Sequence, residues 1–105
     1  MSSPQRGEVW WGELEDAGRR PFLVMTRSAA IPVLNSVLAA PVTRTIRNIP
    51  TELLLGRDDG MPTDCAASFD NLRVVPKSHL VGLVCRLDPT RMMAACRAIR
   101  SAVDC

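Results

Sequence analysis

One histidine, His79, stands in a chain that carries twelve arginines and a single lysine. That imbalance limits the reactions the side chains can run. A Ser-His-Asp triad or a cysteine–histidine pair has only His79 as its base, and it falls in a Lys77-Ser78-His79 turn after Pro76, where it reads as a surface or capping residue. The four cysteines, Cys65, Cys85, Cys96 and Cys105, form no C-x-x-C, and His79 has no partner at zinc-finger spacing. They read as reduced thiols, with Cys65 and Cys85 small core hydrophobes, and no metal site is expected. Phosphate-cradling, dinucleotide, nucleophile-elbow and zincin motifs are all missing from the sequence. Arginine, threonine, serine and carboxylates remain. Such a set suits phosphate chemistry, where the protein positions its substrate and stabilises developing charge. The guanidinium fork offers two parallel donors to one phosphate and stays charged at any working pH. Arginine-preferring codons would give the same composition, so this reading requires the arginines to cluster in space.

The elements that must position these groups are short. The chain has 105 residues, a net charge of +2 and 47% hydrophobic residues, which suits a single globular domain over residues 1–105. It has no apolar run near the ~20 residues that cross a bilayer. Its first residues lack the apolar core of a signal peptide, so a cytoplasmic protein with no membrane association is expected. Residues 7–14 (GEVWWGEL) are strand formers, with Trp10 and Trp11 on opposite faces. One is assigned to the core and the other to a subunit interface or, less favoured, to stacking on a base. Residues 15–20 form a polar turn. Residues 21–26 (PFLVMT) read as a strand buried on both faces, with Pro21 at its start. A helical turn containing Pro32 precedes a third strand at 36–43 (SVLAAPVT), broken or bulged near Pro41. Residues 44–50 make a basic loop, 51–55 a fourth strand, and Asp58-Asp59-Gly60 a turn. A fifth strand over 64–69 continues through 72–75, and another apolar segment covers 80–87. Asp88 as N-cap and Pro89 at the first helical position start a terminal helix. Met92, Cys96, Ile99 and Val103 mark its apolar stripe, for the core or a subunit interface. The expected fold is mainly β with one helix: a small, strongly bent antiparallel barrel with a C-terminal helix packed against it.

Several short motifs follow one another along this frame. They are Arg6-Gly7-Glu8-Val9-Trp10, Arg20-Pro21 before Phe22-Leu23-Val24, and Pro41-Val42-Thr43. Pro50-Thr51-Glu52 before leucines, Asp70-Asn71-Leu72-Arg73, and Leu80-Val81-Gly82 before the helix come after. Together, from Arg6 to about Val103, they resemble the MazF/PemK family of toxin ribonucleases. The resemblance implies an SH3-like antiparallel barrel, a homodimer and a cognate antitoxin. It also implies an endoribonuclease that cleaves single-stranded RNA at short sequences, with neither metal nor cofactor. The family's catalytic pair carries over onto Arg20 and Thr43, and Asn71 and Arg73 resemble its polar groove residues. Arg44 and Arg47, in the loop after Thr43, are candidates for RNA phosphates or simply solubilise that loop. The residue chemistry agrees, because RNA supplies its own nucleophile, the 2′-hydroxyl, and the negative charge that gathers in the transition state suits a guanidinium and a hydroxyl.

The sequence departs from the family at one place. Many members have a longer first loop with a Gly-Ser-Glu stretch before the Arg-Pro. Here the loop shrinks to residues 15–19, and only Glu15 or Asp16 stands near enough to replace the glutamate some members use. Two other readings share the fold. One is a CcdB-like gyrase-inhibiting toxin, which acts through an aromatic residue at the helix tip; this chain ends Ala102-Val103-Asp104-Cys105 without one. The other is a barrel that only binds RNA or protein.

Overall fold

A computed structural model describes residues 3–16 and 18–103. Cys105 and Ala17, both used in the sequence reading, lie outside the described residues. Seven strands are followed by one helix: β1 (Glu8–Leu14), β2 (Gly18–Val24), β3 (Ser36–Thr43), β4 (Glu52–Leu55), β5 (Cys65–Ser68), β6 (Arg73–Pro76), β7 (Leu80–Arg86) and α1 (Pro89–Val103). The hydrogen-bonded order is β4-β5-β3-β2-β1-β7, with β6 also beside β3, and every pair is antiparallel. The mainly β fold with a C-terminal helix matches the sequence reading, although among the described residues β4 and β7 do not pair to close a barrel.

Both faces of the sheet are buried. Val9, Leu23, Ala40 and Val42 point to one side and pack with Leu53, Leu55, Phe69 and the helix residues Ala95 and Ala98. Trp10, Phe22, Val24, Val37 and Ala39 point to the other and pack with Ile31, Val75 and Leu80. This explains why the central strands read as continuous apolar runs rather than alternating ones, since each successive side chain needs a dry neighbour. The helix starts as expected, with Asp88 Oδ1 accepting the Arg91 N–H at 2.8 Å. Its buried stripe is displaced from the sequence reading. Ala95 and Ala98 lie deepest, Met92, Cys96 and Ile99 flank them, and Val103 is exposed. Small residues let the helix approach the sheet closely, and the larger ones spread to either side.

Pro21 and Pro41 sit inside strands, in places where a missing N–H costs little. Pro21 lies in mid-β2 rather than at its start. The Met25 N–H donates to Leu38 O at 2.8 Å, and directions repeat every second residue, so the Pro21 nitrogen faces the β3 edge. β3 pairs with β2 only from Phe22 to Val24, so nothing waits there for a donor. Pro41 marks the point where β3 changes partner: residues 36–39 pair with β6, and Val42 and Thr43 with β5. The same change corrects the expectation of one strand running through 72–75. A 3-10 turn at Phe69–Asn71 separates β5 from β6, because each must reach a different half of β3.

The N-terminal end is tied down by a buried carboxylate. Glu8 is 2% exposed. Its oxygens accept from the Gln5 N–H (2.7 Å), Trp10 Nε1 (3.0 Å) and Arg86 Nε (3.2 Å). Burial alone would raise its pKa. The bonds from Arg86, Trp10 and Gln5, with the charge of Arg86, together outweigh that and hold it below the ordinary value. A lowered carboxylate pKa contributes stability above the unfolded-state value, and that stability is lost as pH falls through the folded-state value. Urea unfolding followed from neutral pH to about pH 3 should show this loss in the wild type and a flatter profile in Glu8→Gln. Glu8→Ala, which strands the buried Trp10 indole N–H while the Gln5 N–H and Arg86 reach water, should cost about 1–3 kcal/mol at neutral pH.

Candidate active site

Arg20 and Thr43 are brought together by strand register. Phe22 pairs with Pro41 across β2 and β3. Two residues farther along each antiparallel strand, on the same face, stand Arg20 and Thr43. The sequence motifs Arg-Pro and Pro-x-Thr are thus two halves of one structural arrangement. Both residues line a concavity of ≈ 200 Å³, together with Thr45, Arg47, Glu52, Ser68 and Asn71. Arg20 also lines two adjoining concavities. One carries Trp11, Arg19, Arg44, Met61 and Cys65, with Thr43 shared. The other carries Asp70, Asn71 and Arg73. Each of the six residues singled out in the sequence, Arg20, Thr43, Arg44, Arg47, Asn71 and Arg73, therefore lines this one continuous surface, and the spatial clustering that composition left open is present.

Local bonds set the posture of each group. Thr43 Oγ1 accepts the Thr45 N–H at 3.1 Å, a turn that leaves its hydroxyl hydrogen free to point into the concavity. Glu52 Oε1 accepts the Arg47 N–H at 3.0 Å and so fastens the basic loop to the start of β4. Asn71 Nδ2 donates to Ser68 Oγ at 2.9 Å. Arg73 Nη2 reaches Asp16 at 3.2 Å, joining β6 to the β1–β2 turn through an exposed pair of small energetic weight. Among the described residues no carboxylate makes an ion pair with Arg20, Arg44 or Arg47. Their charge is therefore available to an anion.

The structure also sorts the remaining candidates. Trp10 is the core tryptophan. Trp11 is half-buried beside the site, with the Arg19 guanidinium 5.0 Å from its ring centre. Glu15 and Asp16 line none of the three concavities. His79 lines none either. It is half-buried rather than a surface residue, with a buried Nδ1 that finds no hydrogen-bond partner among the described residues. No three His, Cys, Asp or Glu side chains converge as metal ligands would, again among the described residues. Glu52, Thr45 and Ser68 were not singled out in the sequence. Glu52 belongs to the Pro-Thr-Glu motif, but only the fold shows that its side chain turns toward Arg20 and Thr43.

A family model for the PemK-like, MazF-like toxins of type II toxin–antitoxin systems matches residues 5–103. A probable endoribonuclease MazF5 of Mycobacterium tuberculosis is 45% identical over 103 residues, covering 97% of this chain and 94% of the relative. In fold, the M. tuberculosis toxin MazF-mt6 superimposes with a TM-score of 0.85 at 29% identity, over 92% of this chain and 96% of that one. A mycobacterial endoribonuclease solved with its cognate antitoxin gives a TM-score of 0.87 at 27% identity, over 97% of this chain and 96% of that one. The fold and site define a small antiparallel β domain with an arginine-lined concavity. The chain belongs to the PemK-like, MazF-like toxin family.

Cys65 and Cys85 are poor nucleophiles at neutral pH. Burial is the main cause raising the Cys65 pKa, and it pushes Cys85 up to about 11, with Asp59 adding to both. Raised values leave the protonated, unreactive form at neutral pH. Iodoacetamide at neutral pH should therefore spare Cys65 and Cys85 in the native protein and modify both after denaturation, as read by peptide mass mapping.

Proposed function

We propose that this endoribonuclease toxin cleaves single-stranded RNA without a metal, with Arg20 and Thr43 at the scissile phosphate. The observation that carries the reading is the pairing of an arginine that makes no ion pair among the described residues with a hydroxyl whose hydrogen is unspent, across one concavity. The substrate's 2′-hydroxyl attacks the adjacent phosphorus in line with the 5′ oxygen. A cyclic phosphate and a 5′-hydroxyl end result. Arg20 donates two bonds to the non-bridging oxygens as they gain charge, and Thr43 adds a third. Arginine's pKa keeps it protonated throughout, so its role is electrostatic rather than that of a base. Arg44, Arg47 and Arg73 hold flanking phosphates, and Asn71 lies beside them for hydrogen bonding. Binding by Arg73 requires it to exchange Asp16 for phosphate, a small cost for an exposed pair.

The same arginine-lined surface suits a partner with an acidic segment, since interface potentials are complementary. A cognate antitoxin is the partner, as in the relative solved with one. The working form is a homodimer, with exposed Val81 and Leu83 on β7 and Met93 on α1 as apolar surface for it. RNA as substrate sets its place of action in the cytoplasm.

The test is cleavage of a mixed single-stranded RNA in EDTA, with the new ends typed chemically. Wild type should yield cyclic phosphate and 5′-hydroxyl ends. Arg20→Ala and Thr43→Ala should each lower kcat by about 10²–10³. Near-wild-type turnover by both folded variants would remove these two assignments, and an inert wild type would remove the ribonuclease reading.

A further inference from the structure

Cleavage by a 2′-hydroxyl needs somewhere for its proton to go. Arg20 cannot take it, and His79 lines no part of the site. The concavity shared by Arg20 and Thr43 has one carboxylate among its lining residues, Glu52. Next to a phosphate that carboxylate is a liability, because it repels the RNA it adjoins. Fastening the loop is not sufficient reason for the charge, since a glutamine oxygen would accept the Arg47 N–H equally well. The bond to Arg47 occupies Oε1 alone, and no donor among the described residues engages Oε2. Glu52 is thus a half-buried carboxylate lining the concavity, with one oxygen clamped and the other without a donor among the described residues.

We propose that Glu52 is the general base of the reaction, a catalytic residue in addition to Arg20 and Thr43. The inference rests on the ribonuclease reading above. Glu52 Oε2 takes the 2′-hydroxyl proton as the O2′–P bond forms. The P–O5′ bond breaks with its electron pair on the 5′ oxygen, which takes a proton from solvent water. Glu52 then returns its proton to water, and nothing is oxidised or reduced. The charged groups that line the concavity with it are Arg20 from β2 and Arg47 from the basic loop. Asp70 is the other carboxylate nearby. It lines the adjoining concavity, apart from Thr43, and its Oδ2 is engaged by the Thr51 hydroxyl at 2.5 Å.

Three variants test the assignment: Glu52→Gln, Glu52→Asp and Asp70→Asn, each checked for native circular dichroism and assayed for kcat and KM across pH. Wild type should show an acidic limb in kcat/KM, the mark of a reaction that needs a carboxylate base. Glu52→Gln keeps the acceptor for Arg47 and removes the base. It should lower kcat by about 10²–10⁴ and flatten the acidic limb, while KM stays equal or falls because a negative charge has gone. Glu52→Asp should keep the limb at a reduced rate, and Asp70→Asn should keep the limb too. A Glu52→Gln protein with wild-type kcat and an intact limb overturns the proposal, as does an Asp70→Asn protein that loses the limb. If wild type itself cleaves no RNA, the ribonuclease reading falls and Glu52's role with it. If wild type cleaves and Glu52→Gln matches it, only the role of Glu52 falls.

Discussion

Three residue pairs between β2 and β3 fix the geometry on which the site depends. Phe22 against Pro41, Leu23 against Ala40 and Val24 against Ala39 set the register, and a slip of one residue would turn Arg20 and Thr43 to opposite faces. Such a short ladder holds because its side chains lie in the two cores, with Phe22, Leu23, Val24, Ala39 and Ala40 all buried. Packing therefore specifies the register more firmly than the few hydrogen bonds do. The prolines that flank the ladder have a related effect. Pro21 ends the donors offered to β3 on one side, and Pro41 divides β3 between β6 and β5 on the other. Beyond both, Arg20 pairs only with Gly12 of β1 and Thr43 only with Ala66 of β5, so β2 and β3 part there and the two side chains line the concavity between them.

Arginine has two separate uses in this protein. Arg86 satisfies Glu8, Arg91 joins α1 to Asp59 and to the carbonyl of Leu54, and Arg6 bonds the carbonyl of Met25. These forks serve the fold. The guanidinium groups of Arg20, Arg44 and Arg47 make no ion pair among the described residues and converge on one surface. A modest net charge of +2 conceals this division. Most acidic groups that pair with arginine do so away from the site, so the local field is far more positive than the sum suggests.

Much of this was legible in the sequence because it is local. The bounds of β3 and the Asp88 cap follow from composition and neighbouring residues. The separation of β6 from β5 does not, because it arises from β3 changing partners, a contact between segments far apart in sequence. The helix stripe was displaced for a similar reason. Periodicity favoured the large residues Met92 and Ile99, whereas close packing on the sheet selected Ala95 and Ala98. Arg20 and Thr43 were reached through motif resemblance, and the register then supplies the physical reason the two motifs belong together. Glu52 was visible only as the last residue of the Pro-Thr-Glu motif, within the strand read over 51–55. Its relation to Arg47 and to the concavity depends on the path of the loop, which carries no periodic signal.

The two adjacent tryptophans have a consequence for watching the molecule at work. The chain contains no tyrosine, so its near-ultraviolet emission comes essentially from Trp10 and Trp11. Trp10 is enclosed in the core with its indole N–H held by Glu8. Trp11 is half-open to water, lies beside the Arg19 guanidinium and lines a concavity shared with Arg20 and Thr43. One fluorophore reports on the integrity of the interior and its neighbour on what occupies the surface. The protein thus carries a built-in optical probe with its own internal reference.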